Sequence, residues 1–223
     1  MLIKVCGMRH PENIRRVADS GADWLGFIFY ARSPRRLESD DSGQSTATYP
    51  KSADNGDGIR QAVLGCRLKK VGVFVDADPE YMTETAERYG LDYLQLHGHE
   101  SPDTCRTLRE RGYAIIKAFP IADEEDLKTT ADYEGRADYF LFDTKCSGYG
   151  GSGRRFDWSV LSGYKGRTPF LLGGGGIAPD SVEAVRNFRH PKLAGIDLNS
   201  GFETAPGIKD AEKLKTFIDK IKK

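Results

Sequence analysis

At 223 residues the chain is long enough to bury a sizeable core without division, so one domain spanning residues 1–223 is expected. Lysine plus arginine equals aspartate plus glutamate at 33 each, which excludes a global field favouring nucleic acid or an anionic membrane. No apolar run approaches the ~20 residues of a membrane span, and Met1 opens directly onto an apolar run instead of a signal peptide.

The first predicted strand is LIKV at residues 2–5, closed by Cys6-Gly7. Seven more runs of the same kind follow: WLGFIF before Tyr30, KVGVFV before Asp76, YLQL before His97-Gly98 and AIIKAF before Pro120, then YFLF before Asp143, PFLL before Gly173 and LAGIDL before Asn199-Ser200-Gly201. Short apolar runs rich in β-branched and aromatic residues are the signature of strands buried on both faces. Charged, helix-period stretches separate them. Pro11, Pro79, Pro102 and Pro179 suit first helical positions, because a missing N–H has no intrahelical partner there. Asp78 and Ser101 are placed to cap two of these helices. Ile208, Ala211, Leu214, Phe217, Ile218 and Ile221 form the inward stripe expected of a last helix. Strand and helix alternating eight times predict an α/β chain closed as a (β/α)8 barrel, with its site at the carboxyl ends of the strands.

The second unit breaks the pattern. Residues 38–58, ESDDSGQSTATYPKSADNGDG, are apolar only at two alanines and Tyr49, too little to offset their ordering entropy, so a long mobile loop is expected. Helix two is then shortened to about residues 59–68, with Ile59, Ala62, Val63 and Cys66 inward. The loop leaves the catalytic face; a passive insertion is the favoured reading, and a lid the alternative.

The strand ends carry the candidate chemistry. A lone cysteine is most often a small core residue, but Cys6 stands at a strand's carboxyl end, with Gly7 free to turn sharply and expose the thiol. It is suited to act as base or nucleophile. Asp143 ends an apolar run and is partly desolvated, as a general acid would be; a loop salt bridge to Lys145 or Arg154 is the plainer alternative. Two glycine clusters, Gly173-Gly174-Gly175-Gly176 and Asn199-Ser200-Gly201, follow strands seven and eight, where barrels hold phosphate on backbone N–H groups. One of Arg32, Arg35 and Arg36 can meet a substrate carboxylate in a bidentate contact. His97, His99 and Glu100 supply donors without the further ligands a metal needs, so hydrogen-bonding roles for Gln95 and His97 are preferred and no metal is expected. Cys6, Cys66, Cys105 and Cys146 lack CxxC and zinc spacings, which suits a reduced, cytoplasmic protein without disulfides.

Together KVCGMRHPEN, GADWLGFIFYARSPRRL, KVGVFVD, LDYLQLHGHE, LFDTKCSGYGGSGRRFDW, LLGGGGIAPDSV and GIDLNSGFETAPGIKD resemble the phosphoribosylanthranilate isomerase family. The resemblance covers everything except residues 38–67. It implies a cofactor-free barrel that converts N-(5-phosphoribosyl)anthranilate to 1-(2-carboxyphenylamino)-1-deoxyribulose 5-phosphate by an Amadori rearrangement in tryptophan biosynthesis. By similarity Cys6 is the general base, Asp143 the general acid and Arg35 the partner of the anthranilate carboxylate. Gly175, Gly176, Ser200 and Gly201 match its phosphate loops. The expected partner is a small phosphosugar, with neither nucleic acid nor membrane, and the chain is expected to act as a monomer, a dimer being the alternative. Rival readings are the aminoaldose isomerase of histidine synthesis, which uses two aspartates, a silent phosphate-binding barrel, and a cysteine hydrolase. The hydrolase is the poorest, because no histidine is placed to activate Cys6.

Overall fold

A computed structural model describes residues 1–37, 57–145, 157–173 and 176–223. Eight parallel strands close into a barrel in sequence order, so the α/β barrel expected from the sequence is the fold. They are β1 (Leu2–Val5), β2 (Trp24–Ile28), β3 (Lys69–Phe74), β4 (Tyr93–Leu96), β5 (Ala114–Ile121), β6 (Tyr139–Thr144), β7 (Phe170–Leu172) and β8 (Leu193–Leu198). Closure comes from β8 pairing β1, with Leu2 opposite Gly195 and Lys4 opposite Asp197. Helices α1 (Pro11–Ala18), α2 (Asp57–Leu64), α3 (Pro79–Tyr89), α4 (Pro102–Glu110), α5 (Glu124–Lys128), α6 (Val182–Asn187) and α7 (Ala211–Lys222) wrap the outside.

Side chains alternate along each strand, so one set fills the barrel and the other meets the helices. Inside lies a compact cluster of Trp24, Val71, Ile116, Ala118, Leu141 and Leu171. Outside, Ile3, Val5, Leu25, Phe27, Phe140, Phe142 and their neighbours pack on the helices as a much larger core.

The expected prolines and caps are in place. Pro11, Pro79 and Pro102 open α1, α3 and α4, and Asp78 and Ser101 accept hydrogen bonds from the N–H groups of Glu80 and Thr104. Pro179 instead opens a 3₁₀ turn that runs into α6, and Ser181 Oγ reaches back to accept from the Ala178 N–H at 3.0 Å.

Three expectations need correction. Helix α2 stops at Leu64 instead of reaching residue 68, because Gly65 and Cys66 close it with bonds to Gln61 and Val63 carbonyls before β3 begins. Ile208 is not part of the last helix: it sits half-exposed in a short antiparallel hairpin, β9 (Glu203–Ala205) with β10 (Ile208–Lys209), ahead of α7. Among the described residues between β6 and β7 the chain forms a 3₁₀ helix over Trp158–Gly163 in place of an α-helix. Gly163, Gly166 and Pro169 crowd that connection and deny it a longer helix. The polar insertion and its lid reading fall almost wholly on residues 38–56, outside the described residues. Among the described residues no helix is long and apolar enough to cross a membrane.

A repeated clamp holds the amino-terminal end. Asp23, Asp92 and Asp138 each precede the aromatic residue that opens an even-numbered strand, and each carboxylate accepts from a backbone N–H of the preceding strand: Ile3, Lys70 and Ile115, all at 2.8 Å. The three aromatics, Trp24, Tyr93 and Tyr139, pack on one another across the floor. Removing one carboxylate orphans a strand N–H, which costs about 1–3 kcal/mol. Asp92→Ala is therefore expected to lower the melting temperature by roughly 2–4 °C per kcal/mol lost, while Asp92→Asn, which keeps an acceptor, loses less. An unchanged thermal transition in the alanine variant would show that the clamp contributes nothing.

Candidate active site

Cys6 follows β1 and is buried, its N–H bonded to the Leu198 carbonyl at 2.8 Å. The chain then turns at Gly7, whose φ of +78° suits glycine. Two residues earlier, on the same inward parity, stands Lys4. Its side chain is fully buried and its Nζ donates to Asp197 Oδ1 on β8 at 2.9 Å. Gly26 on β2 makes the room: a Cβ there would lie 2.8 Å from Cys6 Sγ and 3.2 Å from Lys4 Nζ. Burial pushes the Cys6 thiol above its usual range, and the Lys4 ammonium works against that push by favouring the thiolate. Burial alone would lower Lys4, yet Asp197 and Cys6 carry it upward, so it stays an ammonium. Burial likewise pushes Asp197 up, against the pull of Lys4.

Asp143 lies in β6, three strands round the barrel from β1. Its Oδ1 accepts from Thr144 N–H at 2.7 Å and its Oδ2 faces His97 Nε2 at 3.4 Å. The salt bridge to Lys145 does not form, since Lys145 pairs with Asp126 at 2.7 Å; Arg154 lies outside the described residues. His97 Nδ1 meets Gln95 Nε2 at 2.9 Å, so Gln95, His97 and Asp143 form one chain of contacts across β4 and β6. Gln95 Oε1 is buried with no partner among the described residues. His99 turns away to the Asp76 carboxylate, and Glu100 bonds Lys117 and the N–H groups of Asp76 and Gly98, so the side chains of the His-x-His-Glu run do not converge on one point.

Arg35 is engaged by a group that the sequence reading did not connect to it. Glu203, at the start of β9, accepts from Arg35 Nε at 2.8 Å and from Nη2 at 2.7 Å, a side-on fork. Glu203 also takes Lys209 Nζ at 2.5 Å and the Gly207 N–H at 2.9 Å, and Lys209 reaches Asn199 Oδ1 at 2.9 Å. Burial opposes ionisation of Glu203, but Arg35, Lys209 and Gly207 together hold its carboxyl down to about 2. Ser200-Gly201-Phe202-Glu203 and Pro206-Gly207-Ile208-Lys209 thus meet in one ion network, while the next residue, Asp210, caps α7 by accepting from Lys213 N–H. Arg32 and Arg36 make no comparable contact with this network among the described residues.

Of the expected phosphate loops, Gly175 lies outside the described residues. Gly176 is buried, and its carbonyl accepts from Ser181 Oγ at 3.3 Å. Ser200 and Gly201 open a 3₁₀ turn after β8. A Cβ on Gly201 would stand 2.5 Å from the Ile177 carbonyl and 3.1 Å from Ala178 Cα, so the loops after β7 and β8 touch there.

A family model for N-(5'phosphoribosyl)anthranilate (PRA) isomerase matches residues 3–220. The N-(5'-phosphoribosyl)anthranilate isomerase of Parabacteroides distasonis is 59% identical over 221 residues, covering 99% of this chain and 93% of that protein. Among solved structures, the phosphoribosyl anthranilate isomerase of Thermotoga maritima superposes with a TM-score of 0.82 at 32% identity, covering 100% of this chain and 98% of that one. Another isomerase of the same name, solved with reduced 1-(o-carboxyphenylamino)-1-deoxyribulose 5-phosphate, gives 0.79 at 30% identity, with coverage of 100% and 98%.

Proposed function

The chain belongs to the N-(5'-phosphoribosyl)anthranilate isomerase family, and from that premise we propose that Cys6 and Asp143 are the base and acid of an Amadori rearrangement serving tryptophan biosynthesis. The activity is that of an isomerase acting on phosphoribosylanthranilate. The observation that carries the assignment of roles is the pairing of a buried thiol beside a buried ammonium with a carboxylic acid three strands away on the same rim.

The chemistry asks for little more. Asp143 protonates the furanose ring oxygen, the ring opens, and the substrate's own nitrogen becomes an iminium at C1. That cation acidifies the C2 proton, which the Cys6 thiolate removes to give the enolamine. Loss of the C2 hydroxyl proton and protonation of C1 then deliver the ketone. An acid and a base flanking an anchored sugar suffice, with positioning contributing much of the acceleration.

Arg35 serves the anthranilate carboxylate in this reading, and the loops after β7 and β8 serve the phosphate through backbone N–H groups of Gly175, Gly176, Ser200 and Gly201. Gln95 and His97 orient Asp143. The test is loss of phosphoribosylanthranilate fluorescence with purified protein, with inorganic phosphate expected to compete. Gly201→Ala must push the two loops apart at the Ile177 carbonyl, and is expected to raise the Michaelis constant and weaken phosphate inhibition together while turnover changes less. Turnover of the histidine-pathway aminoaldose in place of phosphoribosylanthranilate would overturn the substrate assignment. Phosphate inhibition unaltered by Gly201→Ala would remove the loops from it.

A further inference from the structure

We propose that Lys4 is a positioning residue for the Cys6 thiolate: held inside the barrel by Asp197, its ammonium governs how readily the thiol gives up its proton. The inference rests on the reading of Cys6 as base and adds the device that makes a buried thiol usable.

The geometry is specific. Lys4 and Cys6 share the inward parity of the first strand, and Asp197 is Lys4's register partner on the eighth. The Nζ–Oδ1 distance of 2.9 Å orients the ammonium. The missing side chain of Gly26 leaves the space in which Nζ and Sγ both fit, each about 3 Å from the point a Cβ would occupy. Burying a lysine against one carboxylate does little for stability, since well-packed apolar residues commonly serve as well or better. The third polar neighbour, the thiol, gives the pair a purpose.

Charges reach the thiol from several elements. Lys4 faces it from β1, Asp197 from β8, Lys209 from β10 and Arg35 from the loop after β2. Lys209 and Arg35 share the single negative charge of Glu203, so the three together keep a net positive charge. Asp143 and His97 act on Asp197 from the far side. Asp197 therefore has two opposed effects: it steers the ammonium toward the thiol and adds a negative charge of its own.

That opposition supplies the test. Thiolate formation is followed by ultraviolet absorbance against pH on the full-length protein, with the Cys6→Ser variant subtracted to remove the other cysteines and the tyrosines. Lys4→Met is expected to move the Cys6 midpoint up by about one pH unit or more. Asp197→Asn keeps an acceptor for Lys4 and removes the charge, and is expected to move the midpoint down. The alkaline-rising limb of kcat/KM should move with each. Midpoints that stay put, or move the same way in both folded variants, would overturn the proposal. If Lys4→Met does not fold, Asp197→Asn alone decides, because no downward shift there refutes the role. This titration reads ionisation without substrate, so it fails independently of the base assignment, which Cys6→Ser turnover tests.

Discussion

Cys6→Ser and Asp143→Asn are each expected to lower turnover by roughly 10²-fold or more, with the Michaelis constant changing only a few-fold. Both substitutions preserve shape. Serine keeps the small side chain that fits beside Gly26, and asparagine keeps an acceptor for Thr144 N–H and a contact for His97. What each removes is proton affinity: a hydroxyl does not ionise near neutral pH, and an amide has no acidic proton to give. The pH dependence carries a sign. Because burial raises the Cys6 thiol, the thiolate is a minority at neutral pH and grows as pH climbs, so wild-type kcat/KM is expected to rise on the alkaline side. Steady-state rates from the fluorescence assay check both points. Near wild-type turnover in either variant, with a normal thermal transition, would remove that residue from the chemistry.

The strands were readable because a strand covered on both faces must be apolar along its length, and all eight runs coincide with barrel strands. The boundaries of α2 and the 3₁₀ connection before β7 were harder, since they depend on where glycine and proline stop a helix competing with tertiary contacts. Cys6 and Asp143 were visible as polar endings of apolar runs. Lys4 and Asp197 are equally visible as charges inside LIKV and LAGIDL, but strand periodicity alone gives them no role. Parity would have separated them: Lys4, Gln95 and Asp197 point into the barrel, whereas Lys117, flanked by inward Ile116 and Ala118, points outward to Glu100. A charge buried in an apolar strand demands a partner, and asking for it leads from Lys4 to Asp197. No comparable local signal joined Arg35 to Glu203. They are 168 residues apart and meet only because the barrel closes and the β9–β10 hairpin folds back over its mouth.

The Arg35–Glu203 fork constrains what Arg35 can do. A guanidinium has two edges able to hold a carboxylate in a paired contact. Glu203 takes the Nε–Nη2 edge, which fixes the plane of the group; in the proposed function the Nη1 side, which meets no partner among the described residues, is the one that holds the substrate carboxylate. With the Glu203 carboxyl held down to about 2, the fork stays intact throughout any ordinary assay range. Arg35→Lys keeps the charge but has no planar fork with which to make a paired contact to each carboxylate, and is expected to raise the Michaelis constant by about 10- to 10²-fold while turnover falls less. A substrate lacking the carboxylate, N-phosphoribosyl aniline, supplies the other half of a cycle. With wild-type protein it should show a similar loss, and with Arg35→Lys little further loss, because both changes delete one interaction. Glu203→Gln serves as the control for damage to the network itself: it weakens the fork, should lower thermal stability, and should leave the two substrates about as well discriminated as before. If the losses from Arg35→Lys and from the missing carboxylate simply multiply, the arginine acts through the shape of the barrel mouth and not by holding the anthranilate acid group.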